Sequence, residues 1–133
     1  MLRTVYHVLG FVKTDEVTVS TSVKAPPPPP GVSIVKPVDW PSEAEVNKPA
    51  SFSVTAKMTG ETTNPGFRVV LVSGPGSIVI SAAGRTVTIN PGGHADFMFT
   101  GTYAKDQTIT LSGTVTFSKE GSYTIRIEVG YFT

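Results

Sequence analysis

The sequence predicts an all-β protein, an antiparallel β-sandwich of about seven or eight strands behind an extended N-terminal arm. The 133 residues include 18 Val, 7 Ile and 18 Thr but only 4 Leu and 8 Ala. β-branched side chains favour a pleated sheet, whereas Leu and Ala are the better helix formers. In addition, 13 Gly and 11 Pro supply turn residues, and no long window shows a helical apolar period. The composition therefore argues against a helical protein.

The arm, residues 1–24, consists of two extended runs. In residues 16–23, Val17, Val19 and Val23 share one face and alternate with Thr and Ser, which is typical of a strand with one buried face. The first run is apolar on both faces and therefore needs cover on both sides. Its predicted assembly contacts are Val5, Tyr6, Val8, Leu9, Phe11 and Val12.

The first run, residues 5–12, also bears on localisation. It is too short to span a bilayer and has no small-residue cleavage site, so we expect neither a transmembrane segment nor a signal peptide. The downstream chain nevertheless has the pattern of an extracellular domain. A virion component, which reaches an outside surface without secretion, fits both observations, and we expect a virion or extracellular surface location.

Residues 25–31 contain five consecutive prolines, Pro26 to Pro30. Such a run forms a stiff polyproline II rod of roughly 3 Å per residue. We interpret it as a spacer that directs the arm away from the domain. A ligand for SH3 or WW domains is the alternative, but Lys24 is the only basic residue beside the run.

Residues 32–133 are predicted to form the sandwich, because strand patterns alternate there with turn signals about every ten residues. Gly113 interrupts a long strand pattern and suggests a β-bulge. The predicted strands span 32–38, 52–58, 67–72, 77–80, 86–89, 95–99, 109–117 and 123–129. The predicted turns are Asn64-Pro65-Gly66, Gly74-Pro75-Gly76, Ala83-Gly84, Asn90-Pro91-Gly92-Gly93 and Glu120-Gly121.

A family pattern runs through four segments of this domain. They are Ala50-Ser51-Phe52-Ser53-Val54, then Gly66 to Val72, then Asn90-Pro91-Gly92-Gly93-His94 leading into Ala95 to Phe99, and finally Phe117 to Ile125 with its Gly-x-Tyr motif. Over residues 44–129 the pattern resembles the immunoglobulin-like sandwich of CARDB-type and related microbial adhesion domains. The antibody-type Cys…Trp…Cys core is absent. The resemblance implies the fold and supplies no catalytic motif.

Charge and cysteine content exclude several functions. The net charge is +1, and Lys and Arg form no cluster, so we expect no nucleic-acid binding. The absence of Cys excludes disulfides, thiolate catalysis and Cys-based zinc sites. Only 16% of the residues are charged, which suits a surface that packs against copies of itself.

Acid–base chemistry has one candidate pair, His94 and Asp96, which share the polar face of a predicted strand. A solvated or ion-paired role is expected. A metal site, the alternative, needs three or four ligands, and His7 is distant in the sequence. Because the carboxylates are otherwise scattered over turns and outward faces, we expect neither an enzyme nor a cofactor.

Trp40 is the only tryptophan and follows the first predicted domain strand. We expect it to cap one end of the core. A contact with a neighbouring subunit and a platform for a sugar ring are the alternatives.

The C-terminus is apolar as well, with Tyr131 and Phe132 predicted as assembly contacts. Chain ends are normally polar, so these residues are expected to pair in the sheet or to contact another chain. We interpret the arm as exchanged between subunits by strand addition. A hairpin folded back onto its own domain is the alternative.

Together these features predict a structural assembly protein whose partners are copies of itself, with a major capsid or other virion protein as a possible second partner. A virion surface component, such as a capsid decoration or a head or tail protein, is the preferred setting. The alternatives are a subunit of a pilus or surface-layer filament, and a surface module that binds a glycan or a protein. No membrane insertion is expected.

Overall fold

The computed structural model describes residues 10–22 and 24–133. Within them the chain forms antiparallel β-strands and no helix. The strands are β1 (Gly31–Asp39), β2 (Ala50–Gly60), β3 (Thr62–Thr63), β4 (Pro65–Ser73), β5 (Ile78–Ala82), β6 (Arg85–Ile89), β7 (His94–Met98), β8 (Thr102–Tyr103), β9 (Thr108–Phe117) and β10 (Thr124–Tyr131). The predicted all-β fold class is confirmed.

Two sheets build an immunoglobulin-like sandwich. The larger sheet has the order β1-β2-β9-β5-β6, and the smaller sheet has the order β10-β4-β7. The short strands β3 and β8 pair separately. Consequently β1, β6, β7 and β10 are the edge strands of the sandwich, and the predicted central position of residues 67–72, in β4, is confirmed.

The core lies between the two sheets. Strand alternation places one side chain in two toward the opposite sheet, and the inward side chains from Phe52 to Met58 in β2 and from Phe67 to Leu71 in β4 are buried. The largest buried side chains are Phe52, Phe67, Phe97 and Met58. Among the described residues, every buried side-chain polar atom has a hydrogen-bond partner. This is expected, because an unpaired buried polar atom costs free energy.

All eight predicted domain strands are present, and the two-residue strands β3 and β8 are additional. Two residues are too few to produce a periodic pattern, which is why the sequence did not reveal them. The predicted β-bulge at Gly113 is wrong, because β9 pairs through this residue without a register shift. A Cβ at Gly113 would overlap the carbonyl oxygen of Ser81. The glycine therefore permits close approach of β5.

The turn predictions are confirmed except at one position. Ala83 and Gly84 connect β5 to β6 with φ of 52° and 72°, the left-handed pair typical of a tight hairpin. The predicted turn Asn64-Pro65-Gly66 is shorter than expected, because Pro65 already begins β4. The chain changes direction at Asn64, whose φ is 54°.

Candidate functional site

The N-terminal arm is the first candidate site. Its described residues, 10–22, form no strand and do not fold back as a hairpin onto the sandwich. Phe11 is 92% exposed and Val12 is 81% exposed, and Val17 and Val19 are 84% and 83% exposed. Extended apolar residues at this exposure are available to a partner. The other predicted arm contacts, Val5, Tyr6, Val8 and Leu9, lie outside the described residues, as does Val23.

A buried hydroxyl group fixes the point where the arm leaves the domain. Thr62 is the one buried polar residue among those described, with 1% exposure. Its Oγ1 accepts a hydrogen bond from the Gly31 amide at 3.1 Å and donates to the Gly60 carbonyl at 2.9 Å. The Gly31 carbonyl lies 3.2 Å away. These contacts hold the first residue of β1 against the end of β2.

The exposed proline rod approaches the domain at the same place. A Cβ on Gly60 would overlap the carbonyl oxygen of Pro29 and would lie 2.9 Å from that of Pro28. Only glycine allows this approach, since any other residue would displace the rod. The rod is thus held at its C-terminal end, which sets the direction in which the arm leaves.

The C-terminus, the other predicted assembly surface, pairs with its own sheet. Tyr131 ends β10 opposite Pro65 and is 48% exposed. The Phe132 amide donates to the Asn64 carbonyl at 2.9 Å, and its side chain is half-buried. Of the two expected arrangements, pairing in the sheet is therefore the one observed. Both residues also line a cavity of about 250 Å³ beside β4.

Trp40 lies in a second candidate site, an open groove of about 500 Å³ at one end of the sandwich. Its half-buried ring packs on Phe52 with centroids 5.1 Å apart, so the expected packing over the core is observed. Phe117 and Tyr123 line the same groove, with centroids 4.8 Å apart. The Tyr123 hydroxyl donates to the Lys119 carbonyl at 2.6 Å. The Trp40 ring therefore packs against the core and borders the groove as well.

No sequence pattern predicted Phe117 and Tyr123 as neighbours of Trp40. Their proximity depends on β9 and β10 lying in different sheets, which no local pattern reveals. The available signal was the turn at Glu120-Gly121, which both aromatic residues flank. Glu43 and Glu120 add carboxylates to the lining of the groove.

His94 and Asp96 lie on the outer face of β7, and the missed partner is Arg68 on β4. Arg68 Nε and Nη2 donate to Asp96 Oδ1 and Oδ2 at 2.7 and 3.0 Å, whereas His94 Nε2 lies 3.9 Å from Oδ2. The hydrogen bonds from Arg68 lower the pKa of Asp96 against the opposing effect of partial burial. Strand register places Arg68 opposite Asp96. The arrangement is that of a surface ion pair.

The described residues hold no group of three His, Asp or Glu side chains arranged to bind a metal ion. No helix in that part of the chain is long and apolar enough to cross a membrane. No protein-family model, curated protein or solved structure matches the chain. The likeness to CARDB-type domains therefore stays a prediction.

Proposed function

We propose that this chain is a structural assembly protein that self-associates through its N-terminal arm, residues 1–24. The observation that carries the proposal is the exposure of four apolar arm side chains, each above 80%. Leaving such side chains in water costs free energy that strand addition to a neighbour would recover. They are Phe11, Val12, Val17 and Val19.

The rod supports an intermolecular arrangement. Pro26 to Pro30 extend roughly 3 Å per residue, and their contact with Gly60 holds the end nearest the domain. A flexible Gly/Ser linker would allow the arm to fold back, whereas a stiff rod carries it outward. The arm is then presented to a second molecule.

The setting that we propose is a virion surface, where the chain would decorate a capsid or form part of a head or tail. A pilus or surface-layer filament is the alternative setting. Electron microscopy of purified assemblies separates them, because a linear polymer of the chain alone favours the filament. Specific attachment to a preformed particle favours the virion component.

Substitution within the arm tests self-association. Val17→Asp/Val19→Asp places charge on the apolar face and should reduce the oligomer to a monomer in sedimentation experiments. The matched control, Thr18→Asp/Ser20→Asp, adds the same charge to the polar face and should leave the oligomer intact. A Val17→Asp/Val19→Asp variant that still assembles like the native chain would contradict the proposal.

A second candidate function, glycan binding, rests on the groove with its three aromatic rings. Aromatic faces stack on sugar rings, and nearby carboxylates accept hydrogen bonds from hydroxyl groups. Trp40→Phe keeps an aromatic ring over Phe52 but reduces the stacking surface. Loss of glycan-array binding by this variant, with the domain still folded, would favour the glycan function. Absence of glycan binding by the native chain would exclude it.

A further inference from the structure

The two long sides of the sandwich differ in how well they are closed. On the side formed by β6 and β7, the Arg85 guanidinium lies 5.1 Å from the centre of the Phe97 ring and donates to the main-chain carbonyl of Asp96. The inward side chains of β7, Ala95 and Phe97, are buried. A charged side chain across an edge strand also discourages further strand pairing. This side is closed by Arg85, although Val87 on β6 is half-buried.

The opposite side, formed by β1 and β10, is open. These strands run beside each other but share no ladder of hydrogen bonds. Their inward side chains are only half-buried, whereas Val54 on β2, Val69 on β4 and Leu111 on β9 are fully buried. The half-buried side chains are Val32, Ile34 and Val38 on β1 and Ile125, Ile127 and Val129 on β10.

Of the two strands, β10 is the better acceptor for another strand. In β1, Pro37 has no amide donor, and the pairing with β2 shifts register between Val35 and Asp39. In contrast, β10 contains no proline and pairs regularly with β4 from Ile125 to Tyr131. Its other edge pairs with no strand among the described residues.

We propose that residues 16–23 of a second copy of this chain add as a strand to the free edge of β10. The proposal rests on the assembly function above and identifies the surface that receives the arm. The segment has eight residues, as β10 does. Val17 and Val19 recur at the spacing of Ile125, Ile127 and Val129, so one face of the added strand meets the open apolar side.

Charge fits the same arrangement. The one charged residue of the segment, Glu16, shares the polar face with Thr18 and Ser20, so the apolar face of an added strand brings no ionised group to the edge of the core. The charged residues of β10 face outward, where Arg126 Nε donates to Glu128 Oε2 at 2.8 Å. The polar face of the segment, Thr18, Ser20 and Ser22, would lie beside them.

Disulfide trapping tests the contact in the full-length chain, which contains no native cysteine. One tagged chain carries Val19→Cys. It is co-expressed with a second chain that carries Ile125→Cys, Ile127→Cys or Val129→Cys. These three positions cover the different registers in which the added strand could pair with β10. Because the cysteines are on different chains, a mixed disulfide reports only an intermolecular contact.

Two controls accompany the trapping. Thr18→Cys replaces Val19→Cys on the opposite face of the arm, and Val87→Cys places the acceptor cysteine on β6, an edge strand on the closed side. We expect Val19→Cys to trap at least one β10 position with a yield several-fold above either control. Unfolding midpoints that match the native chain identify the acceptor variants that remain folded. Because three β10 positions are tested, the experiment still gives an answer if one variant fails to fold.

The outcomes separate the two proposals. If the oligomer forms through the arm but Val19→Cys traps only Val87→Cys, or no β10 position, the assignment of β10 is overturned and the assembly function stands. If the native chain is monomeric, the assembly function itself fails, and the acceptor surface fails with it.

Discussion

The surface pair Arg68 and Asp96 joins β4 to β7 through two parallel hydrogen bonds. Such planar pairing is the strongest geometry available to an exposed ion pair. It lowers the pKa of the Asp96 carboxyl below its ordinary value of 3.8. At the residue scale, therefore, the stability of the smaller sheet depends on pH.

Asp96→Asn removes this dependence. Because the folded-state pKa is lowered, the contribution is fully present above the ordinary pKa and disappears as the pH falls through the lowered value. The variant should unfold at lower urea concentration than the native chain at pH 7, and the difference should shrink below about pH 4. Glu43→Gln, at an exposed position, is the control. A difference that persists unchanged at acid pH would contradict the role of the ion pair.

Trp40→Ala tests the packing of the indole ring on Phe52. Removing a half-buried indole from Phe52 should lower the free energy of unfolding by about 2 kcal/mol, below the range for fully buried tryptophan. Trp40→Phe should lose less, because a ring still covers Phe52. Urea titrations of both variants measure the difference. An unchanged midpoint for Trp40→Ala would show that the indole does not stabilise the core.

At the element scale, Thr62 connects the start of β1 to the end of β2 and so fixes the base of the rod. Thr62→Val keeps the shape of the side chain but leaves the Gly31 amide without its partner, at a cost of about 1–2 kcal/mol. Hydrogen exchange at Gly31 should accelerate as well. Thr63→Val, on the exposed neighbour, is the control and should leave Gly31 exchange unchanged. Equal effects of the two variants would refute the anchor.

Strand alternation made the elements predictable, because one buried face imposes a period of two on residues such as Phe52, Val54 and Ala56. Contacts between sheets were not predictable. The pairing of Arg68 with Asp96 and the clustering of Trp40 with Tyr123 depend on tertiary packing that local pattern does not encode. Gly113 illustrates the same limit, since a bulge and a close backbone approach leave the same sequence signal.

At the scale of the whole molecule, the chain combines exposed apolar surface on its arm with an open long side on its sandwich. The half-buried side chains along β1 and β10 leave one side of the core incompletely covered. The proline rod, which carries the arm, is held at its base by contacts with Gly60 and Thr62. A donor segment and an acceptor edge on one chain are the requirements for head-to-tail association. Such contacts generate a closed ring or an open polymer.

Removing residues 1–24 separates folding from assembly. The buried core is drawn from residues within 52–115, and the described arm belongs to none of the sheets. The truncated chain should therefore still unfold cooperatively as a folded domain, at a midpoint lowered only by the loss of contacts with its neighbour. Circular dichroism during urea titration measures it, and a truncated chain that fails to fold would show that the arm completes its own sandwich.

The mass of the full and truncated chains under native conditions shows whether the chain assembles through its arm. Assembly through the arm predicts an oligomer for the full chain and a folded monomer of the remaining 109 residues once residues 1–24 are removed. A truncated chain that retains the native oligomeric mass, or a full chain that is monomeric at high concentration, would contradict assembly through the arm.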